Sequence, residues 1–413
     1  MNKGYLIINV YADNIAQPVN EAEIEIRGNS TNIKIKTDNF GKSEKIALDA
    51  PNKEYSLTPQ TQVKPYSEYS IEVKKPGLKT VIIEGIEVFD GETSIQNVYL
   101  TNQTNGKAKA EKPEYYELPA HGLWGEYSPK IVEEPLKNEE ENLEERVLPF
   151  VVIPEYVIVH DGIPTNTSAP SHIVSFPEYI KNVASHEIYS TWPKETIKAN
   201  VIAIISFTLN RIFTEWYRSN GYAFTITSST AYDQKYNHNG TIFGSISDVV
   251  DEIFNQYIKL PNVRQPFFAQ YNDGIKTNNR GWLSQWGSKT LGDQGYDALR
   301  ILRHYYSNDM YIETAEEIEG LPLSFPGFKL TIDSCGESVQ KLQNEINVIN
   351  GNYPGIAKIL PADGKYGTNT QSSVRKFQEV FNLPINGTVD FATWYKISYI
   401  YVAVSKMLRG IYA

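Results

Sequence analysis

One carboxylate stands out as a group that could do chemistry. From Ser175 to Glu187 the chain reads as a helix, with Ser175 suited to the N-cap and Pro177 to the first turn. Its apolar stripe is Phe176, Ile180, Val183 and Ala184, and Glu187 follows Val183 by four residues and Ala184 by three. That spacing puts Glu187 on the buried face, where a carboxylate is out of place. Burial disfavours the charged form, and the negative end of a helix acts in the same direction. A carboxyl that keeps its proton near neutral pH is a suitable general acid for a glycosidic oxygen. The competing reading is a Glu that turns out to solvent where the helix frays. His186 should point off the buried face and is read as structural.

Several elements must position that group. Thr191-Trp192-Pro193 opens a long helix, to about residue 217, whose core stripe is Ile197, Val201, Ile204, Ile205, Thr208 and Ile212. Strands are expected at Val151–Ile153, Tyr156–Val159 and near 222–228, and helices near 245–259 and 295–306, with a loop-rich stretch at 262–292. Residues 1–101 alternate at period two in short runs (Leu6–Tyr11, Ala22–Ile26, Tyr69–Val73) separated by turn chemistry, which predicts a small β-sandwich. Residues 102–146 read as a linker. Its acidic run from Glu133 to Glu145 resists burial and suits proteolysis. Residues 330–413 carry helical spacing at Val339, Leu342, Ile346 and again at Val374, Phe377, Phe381. The expected class is therefore multidomain α+β: an N-terminal β-sandwich, a central mixed α/β catalytic domain at 147–315, and a C-terminal three-helix bundle.

Bulk properties narrow the partners. A net charge of −10 argues against nucleic acid as the main partner. The single cysteine, Cys335, allows no intrachain disulfide and no cysteine-based zinc site. The longest apolar run, Val201–Phe207, is well short of the roughly 20 residues that span a bilayer. Asn9 and Asp13 interrupt the N-terminal apolar stretch, so no signal peptide is expected. The 28 tyrosines suit sugar-binding clefts, and equally strands and surfaces.

Three ordered blocks carry a resemblance. Phe176-Pro177-Glu178-Tyr179-Ile180-Lys181-Asn182-Val183, then Glu187, Thr191-Trp192-Pro193 and Ile197-Lys198-Ala199-Asn200, form the first. Ser229-Thr230-Ala231-Tyr232-Asp233-Gln234-Lys235-Tyr236 is the second, and Leu283-Ser284-Gln285-Trp286-Gly287 with Ile301–Tyr306 the third. Together they resemble stage II sporulation protein D domains. The resemblance implies lytic transglycosylase activity on peptidoglycan, with Glu187 as the single acid/base. It implies sugar contacts at Tyr232, Asp233, Gln234, Tyr271, Ser284, Gln285 and Trp286, each of which could instead be packing. Asp233 is the nearest candidate for a second carboxylate. The family's Gly-His-Gly loop reads Asn278-Asn279-Arg280-Gly281-Trp282 here, without the His. The Cys of zinc-binding members is missing and His238 shows no obvious partner, so no metal and no cofactor is expected.

The C-terminal blocks Gly336–Gln343, Asp363-Gly364-Lys365-Tyr366-Gly367, Val374–Gln378 and Asn386-Gly387-Thr388 resemble the peptidoglycan-binding type 1 domain. Asp363 and Tyr366 become the expected wall contacts. Residues 1–101 resemble carboxypeptidase regulatory-like sandwiches. The whole order resembles spore cortex-lytic enzymes of the SleC type, which implies a zymogen located at the spore cortex and cut near Arg146-Val147 by a subtilisin-like protease. A non-catalytic wall-binding protein and a hydrolytic muramidase or autolysin remain open at this point.

Overall fold

The computed structural model describes residues 2–59, 63–103, 112–123, 150–321 and 324–408. The acidic run and the Arg146-Val147 region lie outside these. The fold is mixed α+β, and the chain divides into two compact units. One comprises residues 1–52, 65–118 and 320–413, the other 53–64 and 119–319. The first and last expected segments thus share a unit.

In the first unit β1 (Asn2–Ala12) lies between an antiparallel and a parallel neighbour. These are β4 (Ile46–Ala50) and β7 (Thr93–Leu100). A second, five-stranded sheet runs β3 (Thr31–Lys36), β2 (Glu23–Gly28), β5 (Tyr66–Lys74), β6 (Val81–Phe89), β8 (Glu114–Glu117). Period-two alternation sends Leu6, Ile8 and Val10 of one sheet into the same core as Ile24, Ile26, Ile71, Val73 and Ile83 of the other.

The second unit begins with α1 (Glu54–Leu57) and continues with β9 (Val152–Ile153), β10 (Tyr156–His160) and β11 (Ser171–Ser175). Helix α2 (Phe176–Glu187) leads to α3 (Lys194–Phe213), the central core helix, and a short α4 (Trp216–Ser219). Short strands β12 (Ile226–Thr227) and β13 (Ile242–Phe243) precede α5 (Gly244–Ile253) and β14 (Gln256–Lys259). The single long helix expected near 245–259 is therefore a helix followed by a strand, because Tyr257 and Ile258 pair with β17 (Tyr311–Thr314). The stretch expected to be loop-rich contains β15 (Tyr271–Asn272), β16 (Leu283–Ser284) and α6 (Gln285–Asp293). Helix α7 (Ala298–Tyr305) precedes β17, and β18 (Glu317–Ile318) pairs with β9. The span Lys194–Ser219 is apolar and long enough to cross a membrane, but 89% of its most apolar window is buried within the protein, as in a core helix.

The first unit closes with α8 (Glu337–Ile349), α9 (Thr368–Val380) and α10 (Phe391–Leu408). Two buried glutamines organise its turns. Gln343 accepts from the Gly364 amide at 2.9 Å and donates to the Lys365 carbonyl at 2.9 Å. Gln378 repeats this with the Gly387 amide at 2.8 Å and the Thr388 carbonyl at 2.9 Å. Gly364 (φ 72°) and Gly387 (φ 71°) adopt the left-handed conformation those turns need.

Candidate active site

Helix α2 is enclosed on nearly every side: ten of its twelve residues, from Phe176 through Glu187, are buried. Ser175 occupies the N-cap position without a side-chain capping bond, and Pro177 sits in the first turn. The chain turns extended at Ile188, so Glu187 is the last helical residue and is fully buried. His186, expected to point outward, is buried too, since the enclosure leaves no outward side. Its Nδ1 lies 2.7 Å from the Asn182 carbonyl, and Gly240 presses so close that a Cβ there would meet His186 Cε1 at 2.3 Å. Burial pulls the His186 pKa down to about 3, and the nearby Lys235 ammonium adds to this.

All three sequence blocks converge on Glu187. From the second block, the Lys235 amide donates to Glu187 Oε1 at 2.7 Å. From the third, Gln285 Nε2 donates to the Glu187 carbonyl at 3.0 Å. The Tyr271 hydroxyl faces the Glu187 carboxylate; burial first, and then that carboxylate, hold Tyr271 well above its ordinary pKa. Gln234 Oε1 accepts from the Tyr179 hydroxyl at 3.0 Å and the Thr208 hydroxyl at 2.8 Å, tying this loop to α2 and α3.

Other expected site residues stand further from Glu187 or carry structural bonds. Asp233 is fully buried in an ion pair with Arg211 (2.9 Å) and accepts from the Tyr217 hydroxyl at 2.5 Å and the Thr227 hydroxyl at 2.7 Å. Tyr232, half-buried beside it, offers its carbonyl to Arg211 at 3.2 Å. Ser284 caps α6 by accepting from the Gly287 amide at 2.9 Å. Trp286 is half-buried in an aromatic cluster with Trp192 (centroids 5.0 Å apart) and Tyr189 (6.0 Å). Sequence reasoning missed Tyr189, although its position two residues after Glu187 beside a Trp-Pro pair was a usable signal. His238 does have a partner, stacking on His172 at 3.6 Å, and burial lowers its pKa to about 4. Among the described residues no group of three or more His, Cys, Asp or Glu side chains is placed to hold a metal ion.

Two N-terminal segments cover this cluster within the same unit. The indole N–H of Trp192 donates to the Ser56 carbonyl of α1 at 3.0 Å, and Ser56 Oγ lies 2.6 Å from Thr191 Oγ1. The His121 ring stacks on Tyr189 with centroids 4.7 Å apart, and Lys235 Nζ donates to the Ala120 carbonyl at 2.9 Å.

In the C-terminal region Asp363 is exposed, and its carboxyl is held below its ordinary pKa, chiefly by the Lys365 amide. Tyr366 is buried, and its hydroxyl donates to the Gly387 carbonyl at 3.0 Å, so its ring belongs to the packed interior.

Comparison with known proteins agrees with these observations in two places. A catechol 1,2-dioxygenase from Acinetobacter radioresistens aligns at 15% identity over 27% of this chain and 57% of its own, with a TM-score of 0.18. A membrane-associated protein of unknown function from Bacteroides fragilis aligns at 14% identity over 25% of this chain and 29% of its own, with a TM-score of 0.15. Neither likeness bears on fold or function. A zinc D-Ala-D-Ala carboxypeptidase from Streptomyces albus G is 35% identical over 68 residues, which is 16% of this chain. The chain spans only about a quarter (25%) of that relative's length. Residues 166–258 match the stage II sporulation protein family, and residues 335–397 match the putative peptidoglycan binding domain. The chain therefore carries one segment, with Glu187 inside it, that matches stage II sporulation proteins and a second that matches the putative peptidoglycan binding domain.

Proposed function

We propose that the chain is a lytic transglycosylase that degrades spore-cortex peptidoglycan during germination, and that it is made as a zymogen. The observation that carries the mechanism is that the candidate second carboxylate, Asp233, is committed to Arg211, Tyr217 and Thr227. Ordinary glycoside hydrolysis uses two carboxylates, whereas one group suffices when the substrate supplies its own nucleophile. Glu187 gives its proton to the oxygen linking N-acetylmuramic acid to N-acetylglucosamine, and the C1–O bond breaks. The muramyl C6 hydroxyl attacks C1 and returns its proton to the Glu187 carboxylate, which leaves a 1,6-anhydro ring. Tyr271 and the Lys235 amide hold the carboxylate in place, while Tyr189 and Trp286 offer ring faces for a sugar.

The burial of Glu187 supports the zymogen reading. In the uncut chain it has no exposed surface, and residues 119–123 and α1 lie over the neighbouring aromatic cluster. A cut near Arg146-Val147 by a subtilisin-like protease would put those segments on a separate piece from Glu187, free to lift off the aromatic cluster. The assay is mass spectrometry of fragments from purified cortex. It compares the full chain, a chain beginning at Val147, and that shorter chain with Glu187→Gln. Anhydro-muramyl ends are expected from the shorter chain alone, with a loss of about 10²–10⁴-fold in the variant. Reducing ends would replace the mechanism with hydrolysis. Binding without any fragments would leave a wall-binding protein.

A further inference from the structure

Within the first unit, one loop of the N-terminal sheets is built into the C-terminal helices. The turn Asp38–Lys42 is fixed by its own aspartate, whose Oδ1 accepts from the Phe40 amide at 2.8 Å and the Lys42 amide at 3.0 Å. From there the Lys42 ammonium donates to the Glu379 carbonyl at 2.6 Å, the Val380 carbonyl at 3.4 Å and Asn382 Oδ1 at 2.5 Å. These oxygens lie at the C-terminal end of α9, where helix carbonyls have no partner in the helix and the dipole is negative. Phe40 fills a second point. A Cβ on Gly355 would meet Phe40 Cζ at 2.2 Å, so the ring packs directly on the glycine backbone, and the Lys376 ammonium sits 4.9 Å from the ring centroid. At a third point the Asn352 amide donates to the Ala16 carbonyl at 2.7 Å and the Tyr353 hydroxyl donates to the Ile15 carbonyl. The partners are more than 300 residues apart in sequence, and every donor among them has an acceptor across the contact. Lys42 is half-buried, and the two sides can separate only if all three points of contact break together.

We infer that the N-terminal sheets are a noncovalent partner of the wall-binding helices, pinned by Lys42 and Phe40, and remain bound there after the intervening chain is cut. While docked, they shield Tyr353 and part of Asn352 and Asn382 from any wall polymer, and leave Pro354 and Gly355 exposed. The inference does not depend on the proposed enzymatic activity, and its test measures none.

The experiment places a site-specific protease sequence between Glu139 and Glu140 of the full chain, cuts it under native conditions, and follows the pieces by gel filtration at low micromolar concentration. The parent pieces are expected to co-elute. Two variants attack the contact from opposite sides: Lys42→Ala with Phe40→Ala on the N-terminal side, and Gly355→Ala on the C-terminal side. Each is expected to weaken association at least tenfold, and circular dichroism of the uncut variants checks that they fold. Separation of the parent pieces would overturn the proposal. So would association of both folded variants as tight as the parent, because the N-terminal segments packed in the second unit would then be holding the pieces together.

Discussion

At the scale of single residues, burial decides what each candidate can do. Asp233 has no exposed surface and four donors around it. Asp233→Ala leaves the Arg211 guanidinium buried without its partner. We expect a loss of about 3–5 kcal/mol in the stability of this unit, read by urea unfolding. Activity should then fall with the folded fraction, not through a change in the chemical step. His186 sets a pH dependence. Its folded pKa, about 3, lies below the ordinary value of 6.5, so the unfolded chain binds the extra proton between those two values. Stability is therefore complete above pH 6.5 and is lost as pH falls towards 3, by up to about 1.4 kcal/mol per pH unit. His186→Gln should flatten that slope in melts run between pH 4 and 7. A slope as steep as the parent's would show that another group governs it.

Elements matter through how closely they approach. Helix α6 presses on α3 at Gly292, where a Cβ would meet Thr196 Oγ1 at 2.0 Å. Thr196 cannot swing away freely, since it is fully buried and its hydroxyl donates to the Ser288 carbonyl at 3.2 Å. Gly→Ala inside an exposed helix usually stabilises by about 1 kcal/mol. At Gly292 the sign should reverse, with a loss of about 1–3 kcal/mol from overpacking. Because α6 also carries Gln285 against Glu187, the same change should reduce activity measured well below the melting temperature. Helix α2 teaches a related lesson. The stripe Phe176, Ile180, Val183 placed Glu187 on a buried face, but the stripe could not show that the opposite face is buried as well, which is why His186 was expected outside.

For the whole molecule, the grouping of segments sets which parts of the sequence pack around Glu187. His121 and Ser56 come from parts of the sequence that precede the expected catalytic region, yet both pack in the unit that holds Glu187. If residues 119–123 restrain the zymogen, His121→Ala removes the stacking on Tyr189. The uncut variant should then release anhydro-muramyl fragments at a rate between those of the uncut parent and the chain beginning at Val147. A rate equal to the uncut parent's would mean that α1 or other parts of the chain suffice to block the site.

The sequence alone determined the α+β class, the alternating strands of the N-terminal sheets and the helices around Glu187. Each of these follows from local periodicity. The ordered motif blocks also contained Glu187, Gln234 and Gln285, and the resemblance added Tyr271; the fold gathers these four into one place. Only the tertiary structure decided that Asp233 is committed to Arg211, that Tyr366 points inward, that Ser284 is a helix cap, and that Lys42 ends a helix more than 300 residues away. Those outcomes depend on which partner a polar group meets across long sequence separations, and no period or spacing along the chain carries that information.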